Sequence, residues 1–111
     1  MSIIKSIPMQ RVIAGKVIET SESIVLSDRK YLTNGEYTIV VKSIDYCELY
    51  LNHETTDHVV IKALTDVFIY PDKGKIDEEF DNVHLKKGAC AEFKFIADHW
   101  YVLSSDGLKN N

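Results

Sequence analysis

Alternation of apolar and polar residues over short runs is the feature that most limits what this chain can fold into. In residues 36–43, EYTIVVKS, the side chains of Tyr37, Ile39 and Val41 share one face of an extended chain, because successive side chains of a strand point to opposite sides. Further runs rich in β-branched and aromatic residues occupy residues 46–51, 58–63, 66–70, 89–96 and 100–103. Runs of this length and composition predict strands.

The residues between these runs are typical of turns. Asn34-Gly35, between KYLT and EYTIV, predicts a hairpin because both residues tolerate positive φ. Residues 97–99 form a short link, which predicts a closing hairpin of residues 89–96 with residues 100–104. The fold predicted for these 111 residues is all-β, a single-domain β-sandwich or small barrel of about eight short antiparallel strands. Its parts are an N-terminal arm or edge strand at residues 1–11, a β domain at 12–107 and a C-terminal tail at 108–111.

The charge balance argues against two classes of partner. With 13 Lys and Arg against 17 Asp and Glu, the formal net charge is −4, whereas nucleic-acid binders usually carry a basic face. Nucleic acid and anionic membranes are therefore not expected partners. We find no apolar run that fits a signal peptide or a membrane span, so synthesis in a cytoplasm is expected. Cys47 and Cys90 are predicted to be buried free thiols, with a single bridge left open if their strands are neighbours.

The segment NHETTDH, residues 52–58, contains the best candidates for metal binding. His53, Glu54 and His58 resemble a zinc-protease motif, but that motif needs its two histidines four residues apart on a helix. Here they are five apart and lie between two predicted strands. We predict a polar loop at this position and no cofactor, and His53, Glu54 and His58 stay weak candidates for a metal site.

Two other polar segments have the composition of a functional site without its spacing. The acidic residues 71–81 do not fit a calcium-loop pattern, because Gly74 and Ile76 fall where oxygen ligands are required. Ser104 and Ser105 lack the glycine pattern and the following helix of a nucleophile elbow. His99 precedes their strand and lies beyond hydrogen-bonding reach of Ser104 in an extended chain. We therefore predict no enzymatic activity.

Aromatic residues and the N-terminus offer contact surfaces. Tyr50 and Tyr101 are possible surface contacts with a partner or a sugar, although strands are also rich in aromatic residues that pack inside the fold. Four apolar residues in the predicted arm are candidates for contact with a partner: Ile3, Ile4, Ile7 and Met9. An extended apolar arm can add a strand to an exposed sheet edge of another subunit.

The closing segment LKKGACAEFKFIADHWYVLSSDGLK, residues 85–109, resembles the C-terminal hairpin of small all-β virion proteins of tailed bacteriophages, of the head-decoration and fibre-associated kind. The earlier segments IVLSD, which begins at Ile24, Asn-Gly and YTIVV resemble the same proteins in their pattern of strands and turns. The resemblance implies a non-enzymatic virion protein that is made in the host cytoplasm and binds the major capsid protein or another virion protein. Decoration of the outside of the head, as a homo-oligomer with a trimer favoured, is the leading expectation. A tail- or fibre-associated module or a carbohydrate-binding module is the alternative.

Overall fold

The computed structural model describes residues 10–13, 16–19 and 23–110, with side chains from 23 to 106. Every regular element in this part of the chain is a strand, which confirms the all-β prediction. No helix among the described residues is long and apolar enough to cross a membrane. The strands are β1 (Gln10–Ile13), β2 (Lys16–Glu19), β3 (Ser23–Leu26), β4 (Lys30–Leu32), β5 (Thr38–Val41), β6 (Tyr46–Tyr50), β7 (His58–Ala63), β8 (Asp66–Tyr70), β9 (Val83–Ile96) and β10 (His99–Asn110).

Eight of the strands form one sheet that curls into half a barrel. Strands β3, β5 and β7 lie side by side and parallel, and we call them the first wing. Strands β4, β6 and β8 are likewise parallel and form the second wing. The chain passes from one wing to the other after every strand, so it winds through three coils: β3–β4, β5–β6 and β7–β8.

The parallel wings correct the predicted antiparallel arrangement. Among the described strands, antiparallel pairing occurs between β1 and β2 and where β9 meets β7, β8 and β10. The Asn34-Gly35 hairpin was also a wrong prediction. Gly35 does turn the chain, with φ of +92°, but the strands on either side enter different wings and pair elsewhere. A turn signal reverses the chain without determining which strands become neighbours.

Inward residues of both wings meet in a single core. Ile39 and Ile61 of the first wing and Leu49, Val67 and Ile69 of the second are fully buried in one cluster. Burying one such side chain contributes about 1.5–3 kcal/mol. The alternating burial of β5 to β8 therefore comes directly from the sequence alternation that predicted these strands.

Buried hydroxyl groups stack where the coils bend between the wings. The Thr65 hydroxyl donates to the backbone oxygen of Asp45 at 2.7 Å, and the Ser43 hydroxyl donates to the backbone oxygen of Asp28. Thr65 and Ser43 are themselves buried. At the bend, the backbone oxygens of Asp28 and Asp45 leave the regular pairing between strands. The two hydroxyl groups supply the hydrogen bonds that buried backbone oxygens require.

The predicted closing hairpin is confirmed and is longer than expected. Strand β9 crosses both wings, pairing with β8 through residues 83–85 and with β7 through residues 90–94. Ala97 and Asp98 form its two-residue turn to β10, with φ of 49° and 71°, as in a type I′ turn. Residues 108–110, which were predicted as a tail, pair with β9. The arm residues Ile3, Ile4, Ile7 and Met9 lie outside the described residues.

Candidate functional site

The outer surface of the second wing carries most of the aromatic side chains that do not enter the core. The parallel register places Tyr50 of β6 beside Tyr70 of β8, with Leu32 of β4 on the other side. A second row follows the same register and contains Phe68 of β8 and His84 of β9. We call this surface the aromatic face and define it by five side chains: Tyr46, Tyr50, Phe68, Tyr70 and His84.

The ring of Tyr50 is covered by neighbouring side chains. Its ring stacks on Tyr70 with centroids 4.8 Å apart and an interplanar angle of 15°. On the other side of β6 lies strand β4, and the ammonium group of its Lys30 is 5.5 Å from the Tyr50 ring centroid. The hydroxyl donates to Glu48 at 3.2 Å, and desolvation together with this carboxylate raises the pKa of Tyr50. Because both ring faces are covered, Tyr50 does not offer the flat platform on which a sugar would stack.

The rest of the aromatic face is braced in a similar way. Phe68 stacks on His84 at 4.6 Å and contacts Tyr46 edge-to-face at 6.4 Å. Nε2 of His84 lies 3.2 Å from Oδ1 of Asp66, which also accepts the backbone N–H of Lys87. The hydrogen bond from Lys87 has the largest effect on Asp66, and together with the one from His84 it lowers the pKa of Asp66. The side chains of the aromatic face are therefore held by contacts within the protein itself.

The weak metal candidates are not brought together. Nδ1 of His53 lies 2.6 Å from Asp72, and the His53 ring stacks on Phe95 at 4.5 Å. His58 pairs through Nε2 with Glu92, whereas Glu54 is an exposed loop residue. Within the part of the chain that the structure describes, no three His, Cys, Asp or Glu side chains are placed to hold a metal ion.

The polar residues near the closing hairpin are used in structural contacts. The Ser104 hydroxyl donates to Glu92 at 3.1 Å, whereas Nδ1 of His99 accepts the backbone N–H of Lys75 at 3.0 Å. Tyr101, the other predicted contact residue, donates to Glu78 at 2.6 Å. That hydrogen bond is the main cause of the raised pKa of Tyr101.

Asp72 has a role that the sequence did not reveal. Its carboxylate accepts hydrogen bonds from the buried indole N–H of Trp100 at 2.9 Å and from the backbone N–H of His53 at 2.9 Å. Partial burial acts to raise its pKa, but hydrogen bonds from Trp100 and His53 outweigh it and lower the pKa. The signal that was available is the lone tryptophan, since a buried indole N–H usually finds an acceptor.

The end of the coil stack formed by β3 and β4 is a second surface, which we call the open end. Each of these strands is at the edge of the described sheet, so one side of its backbone has no strand partner there. Val25 of β3 and Leu32 of β4 are 62% and 55% exposed. A shallow cavity of about 290 Å³ lies at the same end, lined by Ile24, Asn34, Gly35 and Glu36.

Glu36, which lines that cavity, is held by two hydrogen bonds. Its carboxylate accepts the Tyr31 hydroxyl at 2.7 Å and the backbone N–H of Asn34 at 2.7 Å. Burial first, and the Glu36 carboxylate second, raise the pKa of Tyr31 to about 12. Both carboxylate oxygens of Glu36 are therefore bound within the protein.

Comparison with known proteins does not assign the chain to a family. No protein-family model matches it, and no curated protein matches it.

Proposed function

We propose that the protein is a non-enzymatic structural component of a tailed-phage virion that docks on other virion proteins. The observation that carries the proposal is the aromatic face, a surface of mutually packed aromatic side chains that are partly exposed on the outside of a sheet. Aromatic residues are enriched at protein interfaces. Their immobilisation before binding lowers the entropy cost of forming a complex.

Decoration of the outside of the head is the location we propose first. The resemblance of the closing hairpin to small virion proteins supports it, and so does the net charge of −4. An acidic protein is suited to an outer shell surface, whereas contact with packaged DNA would require positive charge. The predicted contact arm at residues 1–11 is compatible with this location as an additional strand donor.

The location is tested by fractionating particles of the phage that encodes the protein into full heads, tails and fibres. Co-migration with heads is expected. Co-migration with tails or fibres would move the protein to the alternative location, and absence from every particle fraction would contradict the virion proposal.

The docking surface is tested with purified heads and three forms of the protein. We expect Tyr46→Ser and Tyr70→Ser to weaken binding to heads, because both side chains belong to the aromatic face. Tyr37→Ser is the matched control, since Tyr37 precedes β5 in the first wing and its ring contacts His58 edge-to-face at 4.9 Å. Equal binding by all three variants, with the β-sheet circular dichroism signal retained, would show that the aromatic face is not the docking surface.

A further inference from the structure

The three coils stack with edge strands at the two ends, and the two ends differ in how well they are protected from pairing with another chain. At the far end, the edge strand β10 is interrupted by register shifts between Val102 and Ser104 and between Asp106 and Leu108. The exposed residues Ser104, Ser105 and Asp106 are polar. Bulges and polar residues of this kind prevent an edge strand from pairing with another chain.

The open end lacks this protection along β3. Its sequence, SIVL, has no proline and no charge, and it pairs with β5 without a register shift. Val25 is 62% exposed and half-buried Ile24 packs against the core. An unprotected apolar edge of this kind is a template for an additional strand.

The same chain contains a suitable donor. Strands β1 and β2 form a two-stranded sheet of their own, with Val12 paired to Val17. A two-stranded hairpin is marginally stable in water and needs a third strand or another packing surface. Only residues 20–22 separate β2 from β3, yet the described hairpin does not pair with the β3 edge of its own chain.

We infer that the open end binds the β1–β2 hairpin of a second copy of this protein. The hairpin then gains a third strand, and the β3 edge gains the backbone partners it lacks. Since each copy has one hairpin and one open end, reciprocal exchange closes as a symmetric dimer or continues around a ring. The inference concerns the isolated protein, so its test is independent of the virion proposal.

Two variants separate the donor from the acceptor. Val12→Pro removes a backbone N–H from β1 and disrupts the hairpin, while the open end stays intact. Val25→Lys leaves the hairpin intact and places a charge on the exposed side of β3. It should weaken self-association by at least about tenfold, because a lysine on an edge strand opposes pairing with another strand. Leu103→Lys is the matched control, because Leu103 is 53% exposed on the protected edge strand β10.

The masses of the 111-residue chains are measured by sedimentation over a concentration series from micromolar to millimolar. At concentrations where the native protein and the Leu103→Lys variant are oligomers, we expect Val12→Pro and Val25→Lys each to stay monomeric until the concentration is raised at least about tenfold. An equimolar mixture of these two variants should form a heterodimer, because one supplies an intact hairpin and the other an intact open end.

Three results would overturn the inference. The first is a monomeric native protein, which would indicate that the hairpin does not join two copies. The second is a native mass in both the Val12→Pro and Val25→Lys variants, which would place the oligomer contact elsewhere. The third is a failure of the two monomeric variants to associate when mixed, although each keeps the circular dichroism spectrum of the native fold.

Discussion

Gly74 lies where the loop after β8 packs against the closing hairpin, and Gly74→Ala should destabilise the fold strongly. An added Cβ would lie 2.1 Å from the backbone oxygen of Asp98 and 2.7 Å from Nδ1 of His99. The residue also has φ of +69°, a left-handed conformation that costs an L-residue about 1–2 kcal/mol. The substitution therefore combines a steric clash with backbone strain. To relieve the clash, the loop and the hairpin must move apart.

The size of the effect follows from the hydrogen bonds that this movement would break. The backbone N–H of Lys75 donates to Nδ1 of His99 at 3.0 Å, and the N–H of Trp100 donates to the oxygen of Lys75 at 3.1 Å. Each such bond contributes about 0.5–1.5 kcal/mol. Together with the conformational cost, the expected loss in free energy of unfolding is about 2–5 kcal/mol.

Gly88→Ala is the control that isolates the steric cost. Gly88 has φ of +93°, but an added Cβ would meet no atom within 4 Å. We therefore expect a loss of only about 1–2 kcal/mol from backbone strain. Urea denaturation of both variants, followed by circular dichroism, gives the comparison. Equal losses in the two variants would refute the steric reasoning at Gly74.

Two further predictions concern acid stability and thiol reactivity. Hydrogen bonds lower the pKa values of Asp66, Asp72 and Glu92 in the folded protein, so the unfolded chain binds protons first as pH falls. The stability they contribute is present above about pH 4 and lost below it. The urea midpoint should therefore decline in acid and decline less in Asp72→Asn, whereas identical pH profiles would contradict this assignment. Cys47 is fully buried, with its pKa raised to about 11 by burial, whereas Cys90 is half-buried. A thiol reagent should thus label one cysteine rapidly in the folded protein and both in urea, and rapid labelling of both without denaturant would be the contrary result.

Strand positions could be predicted from the sequence because burial in this fold follows the two-residue period. The prediction at residues 58–63 coincides with β7 and that at 66–70 coincides with β8. In both strands the odd-numbered residues are buried and the even-numbered ones are half-buried. This alternation requires only a sheet with one covered face, so it identifies strands whatever their pairing.

The pairing itself could not be predicted by the same reasoning. Parallel strands are usually covered on both faces and therefore lack alternation, so the alternating runs favoured an antiparallel sheet. Here the wings pack on each other through their inner faces alone, and the outer faces keep half-exposed residues such as Tyr50 and Lys62. The segment Ala63-Leu64-Thr65-Asp66 was the remaining clue. It joins two strand runs without a glycine, proline or asparagine, which suits a bend between wings better than a hairpin.

The coiled arrangement separates the residues that stabilise the fold from those available for binding. Inward residues such as Leu49 and Ile69 are fixed by the core, whereas the outward residues on the same strands, Tyr50 and Tyr70, contact mainly their neighbours along the stack. Substitutions on the outer surface can therefore change binding with a small effect on stability, as surface changes away from packed sites generally do. The first coil is different, because the outer backbone edges of β3 and β4 have no strand partner within the described sheet. A partner that covers the open end must therefore pair with the backbone as well as contact side chains, and the inferred hairpin of a second copy would meet both requirements.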